Sequence, residues 1–246
     1  MPAHRTRRLR IHHLLFALAL LATAAAIAQT PHTHQHAFSD PEHWARYFDD
    51  PQRDAWQKPH EVITALALPS NAKIADIGAG TGYFSVRLAH MVANGRVYAI
   101  DVEPDMVKYL AQRAQREGLP NVRAILATPS DAHLPEKVDR ALLVDTYHHI
   151  GEREAYFRRL RKDLLPGAEI TIIDFKRDSP IGPPVDERLA RDQVTAEMGR
   201  AGYRLVRSPD FLPTPRQRPF DTINSDSDLH RSQEVHHRDR ARLIVV

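Results

Sequence analysis

The fold of this chain is decided by the stretch DIGAGTG at residues 76–82. A short β-rich run over residues 73–75 comes before it, and an apolar-periodic segment that begins at Tyr83 comes after it. Three alternating glycines let the backbone adopt positive φ and pass close to a ligand. The following helix then points its free N–H groups and the positive end of its dipole at a polar group. The stretch therefore predicts a strand, a glycine turn and a helix start that binds a ligand.

An acid follows at the distance that nucleotide-binding folds use. Residues 96–100 predict a second strand, which ends in Asp101, roughly 20 residues beyond the glycines. In such folds this acid holds a pair of ribose hydroxyls. The glycines at 78, 80 and 82 depart from the G-x-G-x-x-G spacing of dinucleotide-binding folds. A glycine turn without a ligand is the alternative, but strand, turn, helix, second strand and acid all occur in order.

The pattern D-x-G-x-G-x-G over residues 76–82 resembles motif I of class I S-adenosylmethionine-dependent methyltransferases, in particular the methyltransferase type 11 and quinone-biosynthesis-like members. The resemblance extends from about Trp56 to about Leu212. It implies a Rossmann-like, doubly wound α/β sheet, S-adenosyl-L-methionine as the cofactor and methyltransferase activity. It also implies the cofactor-binding positions, which are Asp76, Gly78, Gly80, Gly82, Asp101, Val102, Asp131 and Asp145.

The remainder of the chain alternates between predicted strands and helices. Strands are expected at 122–126, 138–144, 169–173 and 203–206, and helices at 104–117, 152–165 and 185–201. Alternation of this kind indicates a parallel sheet with helices on both faces. Ligands bind such sheets beyond the carboxyl ends of the strands, where the glycine turn and the three acids after it are expected.

The candidates for catalysis directly follow the fourth predicted strand. Methyl transfer mostly needs proximity and alignment, and a general base helps where the acceptor is a hydroxyl or an acidic carbon. Tyr147, His148 and His149 lie near where the methyl group should point. We expect one histidine to act as the base or to orient the acceptor. The alternative is that one packs under the sheet and the other caps the next helix.

No metal is expected at this position. Asp145 resembles the metal-binding acid of catechol O-methyltransferases, which stands at the end of the fourth strand. That family also uses an Asp-Asn pair after the fifth strand, whereas here Asp174 is followed by Phe175.

Composition narrows the function classes. The chain has no cysteine, which excludes thiol catalysis and a disulfide framework. Its net charge is only +3, and the middle lacks the basic, aromatic-interleaved surface of nucleic-acid binders. We expect a small-molecule acceptor methylated on oxygen or carbon rather than nitrogen. The competing hypothesis is a non-catalytic S-adenosylmethionine-binding protein of the cell envelope.

The N-terminus is typical of a signal peptide. Residues 1–28 combine a basic start, a short apolar run over Leu14–Ile27 and a small-x-small cleavage signal at Ala26-Ile27-Ala28. We therefore expect export to the periplasm, with membrane contact only through this segment; an uncleaved anchor is the alternative. Residues 29–39 are expected to be a histidine-containing linker, and 40–213 a methyltransferase domain with an N-terminal helical lid.

The C-terminus departs from the family. Class I methyltransferases end in an antiparallel hairpin whose seventh strand is inserted between the fifth and sixth. Residues 214–246 are mostly polar, and the apolar run at 243–246 is short and late. We therefore expect the seventh strand to be missing or replaced by a divergent, disordered tail. A misread gene end near Pro213 is the sharper form of this hypothesis.

Overall fold

The computed structural model describes Phe38, residues 40–207 and the backbone of Ala241–Val245. The predicted signal peptide over residues 1–28 lies outside the described residues. So do most of the linker at 29–39 and of the tail at 214–246. Within the described part of the chain, no helix is long and apolar enough to cross a membrane.

The described residues contain seven α-helices and seven strands. Three short helices come first: α1 (Pro41–Phe48), α2 (Arg53–Gln57) and α3 (Pro59–Ala65). The first half of the sheet and its helices are β1 (Lys73–Ile77), α4 (Tyr83–Met91), β2 (Arg96–Asp101), α5 (Pro104–Arg116) and β3 (Val122–Leu126). The second half is β4 (Val138–Val144), α6 (Arg153–Leu160), β5 (Leu164–Ile173), α7 (Arg191–Arg200), β6 (Tyr203–Arg207) and β7 (Ala241–Val245).

The strands form one sheet in the order β3-β2-β1-β4-β5-β7-β6. Every pairing in it is parallel. The order reverses between β1 and β4, and such a switch point opens a crevice beyond the carboxyl ends of the strands. The glycine turn follows β1 at this place. The prediction of a doubly wound, Rossmann-like sheet is confirmed.

Apolar side chains alternate between the two faces of the sheet. Ile74 and Leu142 belong to a core cluster that includes Leu88 of α4, whereas their neighbours Ala75 and Leu143 belong to a second cluster. The second cluster includes residues of α6 and α7. Central parallel strands are covered on both faces, which explains why β4 reads as a nearly continuous apolar run.

The seventh strand corrects the expectation from sequence. β7 is neither missing nor a disordered end: it lies between β5 and β6, and Leu243 pairs with Ile170 on one side and with Leu205 on the other. The apolar run judged too short is sufficient, because four paired residues cover the exposed edge of β5. The run is not too late either. A parallel pairing needs a long connection, and residues 208–240 provide more than the dozen or so residues required.

The strand keeps the family's position but not its direction. β7 runs parallel to both neighbours, whereas the hairpin expected for this family is antiparallel. Whether β7 pairs in the parallel or the antiparallel direction, the backbone groups of β5 gain hydrogen-bond partners. This removes the cost of an unpaired, buried edge.

A second difference concerns the end of the helix predicted over 152–165. The helix stops at Leu160, and Leu164 already belongs to β5, where it pairs with Val138. The register then shifts, so that Arg140 pairs with Glu169 and the Pro166-Gly167 pair falls in a bulge. Pro-Gly therefore interrupts a strand rather than ending a helix.

Candidate functional site

The glycine turn is fastened to the end of β2. The backbone N–H groups of Gly78 and Ala79 both donate to the carbonyl of Ile100, at 2.8 and 2.9 Å. The φ angles of Gly78, Gly80 and Gly82 are 75°, 54° and 94°. L-residues rarely adopt such angles, so the spacing of the glycines follows from the shape of the turn.

Close packing adds a second reason for glycine at one of these positions. A Cβ atom on Gly78 would overlap the side chain of Thr146, which follows β4. At Gly80 a Cβ atom would lie 3.6 Å from the ring of Phe48, an ordinary contact. Helix α1 therefore lies over the middle of the turn, and its predicted role as a lid stays a prediction.

Asp101 is built into the turn. Its Oδ2 accepts a hydrogen bond from the Gly80 N–H at 2.8 Å, and its Oδ1 accepts one from the Glu103 N–H at 3.0 Å. Burial raises the pKa of Asp101, and these backbone hydrogen bonds oppose the shift. Each oxygen keeps a lone pair that can accept from a ribose hydroxyl. Val102, 40% exposed, offers apolar surface beside it. The geometry suits the predicted roles of both residues, which stay predictions.

Asp76 lies inside β1 and is buried. Its Oδ2 accepts from the Ser85 hydroxyl of α4 at 2.5 Å. Burial raises the pKa of Asp76 to about 6, against the opposing effect of the Ser85 hydrogen bond. The carboxylate is therefore costly to keep ionised in the free protein.

Asp131 lies in the turn after β3. Its carboxylate accepts from the backbone N–H of His133 at 2.8 Å, and Arg159 lies 3.7 Å from its other oxygen. Leu126 at the end of β3 pairs with Asp101, so this turn follows the same edge of the sheet. Its predicted role beside the adenine group stays a prediction.

Acids also follow β4 and β5, the two strands that come after β1 in the order of the sheet. Val144 pairs with Ile173, so Asp145 and Asp174 follow paired positions. Asp145 has a left-handed backbone at φ 54°, and its Oδ1 is buried without a hydrogen-bond partner among the described residues. Burial and then the charge of Asp174 raise the pKa of Asp145.

Tyr147 corrects one catalytic prediction. Its side chain is 0% exposed, its hydroxyl donates to Oε2 of Glu197 at 2.9 Å, and its ring stacks on Phe157 at 5.3 Å. Burial, and then Glu197, raise the pKa of its hydroxyl well above the ordinary value. The side chain therefore packs under the sheet against α6 and α7, away from the crevice, and the role predicted for it at the acceptor is wrong.

His148 is held by the acid that ends β5. Its side chain is 2% exposed, and its Nδ1 lies 2.8 Å from Oδ1 of Asp174. Its backbone N–H donates to Oδ2 of the same carboxylate at 3.2 Å. Burial alone would lower the pKa of His148, but the hydrogen bond to Asp174 and the charges of Asp174 and Asp145 outweigh it and raise the pKa.

His149 faces the lid instead. It is exposed, and its ring centroid lies 4.0 Å from that of His148 and 6.1 Å from that of Phe38. Phe38 in turn contacts Trp44 at 4.9 Å, and Trp44 stacks on Phe48 at 5.3 Å. We call Phe38, Trp44 and Phe48 the aromatic lid. It reaches from the glycine turn to the two histidines.

Helix α2 contributes two residues near the turn. The Arg53 guanidinium lies 4.2 Å from the centroid of the Tyr83 ring and donates to the Phe48 carbonyl at 2.9 Å and to Oε1 of Gln57 at 3.3 Å. From sequence, Gln57 and Lys58 are expected either to touch the ligand, because such a segment before the glycine motif covers the cofactor in this family, or to cap a helix; Arg53 is not expected there. The available signal was weak: an i, i+4 polar pair just before the first strand.

Asp145, His148 and Asp174 each place one ligand atom within 4.8 Å of the others, as a metal site would. In the structure two of the three form the hydrogen-bonded pair described above. The expectation that no metal binds here therefore stays a prediction.

Comparison with known proteins agrees with this geometry. The model of a methyltransferase domain family matches residues 68–205. A solved S-adenosylmethionine-dependent methyltransferase from Aquifex aeolicus is 31% identical, with a TM-score of 0.65 over 69% of this chain and 91% of that one. Magnesium protoporphyrin IX methyltransferase from Synechocystis, solved with its cofactor bound, shares the fold at 19% identity and a TM-score of 0.53, over 70% of this chain and 85% of that one.

Curated relatives differ in what they methylate. (S)-Coclaurine N-methyltransferase from Thalictrum flavum is 25% identical over 56% of this chain, which spans only 38% of that relative's length. Protein-L-isoaspartate O-methyltransferase from Aeropyrum pernix is 26% identical over 85% of this chain and 80% of its own length.

The cradle fits S-adenosylmethionine on its own evidence. Asp101, an acid suited to a ribose diol, stands beside the glycine turn, and a buried carboxylate oxygen of Asp145 lacks a partner among the described residues. The family match covers more than half of the chain and contains all of these residues. The chain belongs to the methyltransferase domain family and is an S-adenosylmethionine-dependent methyltransferase.

Proposed function

We propose that this methyltransferase acts on an oxygen or an acidic carbon of a small-molecule acceptor, with His148 as the general base. The observation that carries the proposal is the hydrogen bond between His148 Nδ1 and Asp174 at 2.8 Å, at the carboxyl edge of the sheet. A buried histidine whose one nitrogen is held by a carboxylate is a common arrangement for a proton acceptor.

The pairing fixes which nitrogen is available. An ionised carboxylate only accepts hydrogen bonds, so Nδ1 carries the proton and Nε2 of the neutral ring is the basic atom. When bound, the cofactor supplies an electrophilic methyl group on a sulfonium. His148 then takes the proton of the acceptor hydroxyl or acidic carbon at Nε2, and Asp174 stabilises the imidazolium that results.

The surroundings favour a small acceptor with apolar or aromatic character. His149 lies against the His148 ring, and Phe38 of the aromatic lid lies against His149, so aromatic rings surround this side of His148. Pockets lined in this way, with few polar groups, bind small molecules. The printed names of the relatives include small-molecule and protein acceptors, so they support the activity and leave the acceptor open.

The test is a comparison of His148→Gln and Asp174→Asn with His90→Gln, an exposed histidine on α4. Rates would be measured with labelled S-adenosylmethionine and a panel of phenols, quinols and amines. We expect His148→Gln to lower kcat about 100- to 10,000-fold, the range for a lost general base, while S-adenosylhomocysteine binds normally. An unchanged rate would reject His148 as the base. Turnover of the amines alone would reject the acceptor class.

The pH dependence gives a second test. His148 must be neutral to act, and its pKa is raised above the ordinary value by Asp174. The rate should therefore rise with pH through that raised pKa. Asp174→Asn removes the raising charge, so the same limb should move to lower pH while the maximal rate falls. A profile that does not move would separate Asp174 from the chemistry. Cofactor binding without turnover of any acceptor would favour the non-catalytic cell-envelope protein.

We also propose export to the periplasm with removal of residues 1–28. The support is the basic, apolar and small-residue pattern of that segment. The intact mass of protein isolated from its native host should correspond to a chain beginning at Gln29. A mass that includes the apolar run would indicate an anchored protein instead.

A further inference from the structure

We propose that Arg53 and Gln57 of helix α2 bind the carboxylate of S-adenosylmethionine, and that Asp145 binds its ammonium group. The inference rests on the cofactor and on the lid, and it is independent of the acceptor and of the role of His148. It assigns the amino-acid end of the cofactor to three side chains from separate parts of the chain.

Arg53 carries a partly buried charge that has no acidic partner among the described residues. Its hydrogen bonds go to two neutral oxygens, the Phe48 carbonyl and Oε1 of Gln57. Burial lowers the pKa of its guanidinium. The neighbouring arginines do have acids: Arg87 lies 3.1 Å from Asp54, and Arg113 lies 2.9 Å from Asp49.

Among residues 40–207, no carboxylate lies within ion-pair distance of the Arg53 guanidinium. A partly buried cation of this kind is costly unless an anion joins it. The feature therefore indicates that a bound group supplies the anion.

Gln57 adds an unused donor at the same place. Its side chain is 0% exposed, its Oε1 is occupied by Arg53, and its Nε2 has no partner among the described residues. A buried amide donor left unsatisfied costs about 1–3 kcal/mol. Guanidinium and amide N–H groups together match the two oxygens of a carboxylate.

Asp145 supplies the opposite charge. Its Oδ1 is buried without a partner among the described residues, and the charge of Arg53 acts on it, lowering its pKa against the larger effect of burial. Among the described residues, a cation lacking an anion and a carboxylate oxygen lacking a donor thus share one site. An α-amino acid at neutral pH carries the complementary pair of charges.

The location points to the amino-acid end of the cofactor rather than to the acceptor. Arg53 stacks on Tyr83, the first residue after the glycine turn, and bonds to Phe48, which covers Gly80. Asp145 precedes Thr146, which packs against Gly78. The three groups therefore flank the turn, whereas Asp101 stands at the place predicted for ribose binding.

The experiment compares two ligands by calorimetry on the full chain. S-adenosylhomocysteine has the amino-acid end, whereas 5′-methylthioadenosine keeps the adenosine and thioether and lacks it. We expect Arg53→Gln to weaken S-adenosylhomocysteine about 10- to 150-fold, the range for charge-assisted hydrogen bonds. The affinity for methylthioadenosine should stay within about threefold. Gln57→Leu and Asp145→Asn should have the same selectivity with smaller losses.

The matched control is Arg87→Gln, because Arg87 also stacks on the Tyr83 ring, at 4.0 Å, but has an acidic partner in Asp54. It should change neither affinity appreciably. If Arg53→Gln weakens both ligands equally, Arg53 only supports the turn, and the proposal is wrong. An unchanged affinity for S-adenosylhomocysteine would also overturn it.

A comparison on the unmodified protein covers the case in which the variant does not fold. Decarboxylated S-adenosylmethionine keeps the ammonium group and lacks only the carboxylate. We expect it to bind at least about tenfold more weakly than S-adenosylmethionine, since Arg53 and Gln57 then stay unpaired. Equal affinities would reject the carboxylate site.

Discussion

Asp101 ends β2 and Asp145 follows β4, at the same edge of the sheet, yet their carboxylates differ in their hydrogen bonds. Each oxygen of Asp101 accepts a backbone hydrogen bond in the free protein. Asp145 has a buried oxygen without a partner among the described residues. The same contrast separates the adenosine side of the site (the glycine turn and Asp101) from the lid side (Arg53, Gln57 and Asp145).

The difference indicates two kinds of recognition. The adenosine side is completed by its own backbone, so it is formed before any ligand arrives. On the lid side, among the described residues, the Arg53 guanidinium has no carboxylate at ion-pair distance, and Gln57 Nε2 and Asp145 Oδ1 have no hydrogen-bond partner; we propose that a zwitterion completes them. We infer that ligands lacking the amino-acid end contact only the adenosine side and leave Arg53, Gln57 and Asp145 without a ligand.

The largest expected effect is on the adenosine side, at Gly78. Gly78→Ala should destabilise the fold by about 2–4 kcal/mol, because positive φ is costly for alanine and the new Cβ atom overlaps Thr146. Gly118→Ala is the matched control: it has a similar φ of 65° with open space around it, and should cost only about 1–2 kcal/mol. Urea unfolding measures both. Equal losses would mean that the turn is not tightly packed against Thr146.

The second prediction is an effect of pH on the free energy of unfolding, which arises from Asp76 and is nearly as large. Its folded pKa of about 6 exceeds the ordinary 3.8, so the folded state binds the proton more tightly and loses stability as pH rises between these values. The stability of Asp76→Asn relative to the native chain should therefore increase from pH 4 to pH 8, by up to about 3 kcal/mol. Unfolding curves at both pH values decide it. A constant difference would mean that the carboxylate is not desolvated.

The next prediction concerns Asp101, whose removal should weaken the binding of both S-adenosylhomocysteine and methylthioadenosine. Asp101→Ala should reduce the affinity for S-adenosylhomocysteine and for methylthioadenosine by about 1.5–3 kcal/mol each. Asp105→Ala, an exposed acid on α5, serves as the control. If Asp101→Ala spared methylthioadenosine, the ribose assignment would be wrong, and so would the division into two sides.

The smallest expected effect on ligand affinity comes from the ion pair that joins the end of α1 to α5. Asp49 follows α1 and binds Arg113 of α5 at 2.9 Å, in a partly exposed pair. Asp49→Asn should weaken S-adenosylhomocysteine by about 0.5–1 kcal/mol and leave methylthioadenosine unchanged. A loss of the same size for both ligands would mean that this ion pair does not act on the binding of the amino-acid end.

The adenosine side could be predicted from sequence because it is local. The glycines, the strand before them and Asp101 lie within a short segment, and their spacing reflects backbone geometry that any such turn requires. The parallel sheet with helices on both faces followed from alternating strands and helices. His148 was found by its position after β4, although its pairing with Asp174 depends on the register of β4 against β5.

The lid side could be predicted only in part, with Gln57 and Asp145 as candidate ligand contacts, because the role of Arg53 depends on contacts between distant segments. Arg53 and Gln57 are ordinary polar residues in a five-residue helix until Tyr83 and Asp145 are placed beside them. Tyr147 was misassigned because adjacent residues of a tight turn point to opposite sides. The strand at Ala241–Val245 was missed because the long polar stretch before it hid the pairing with β5.

The most direct test of the two-sided site is calorimetry of the unmodified protein with the two ligands. S-adenosylhomocysteine should bind at one site per chain, and methylthioadenosine should bind the same site at least about 30-fold more weakly, since it leaves Arg53, Gln57 and Asp145 unpaired. Equal affinities, or no binding of S-adenosylhomocysteine, would contradict the account.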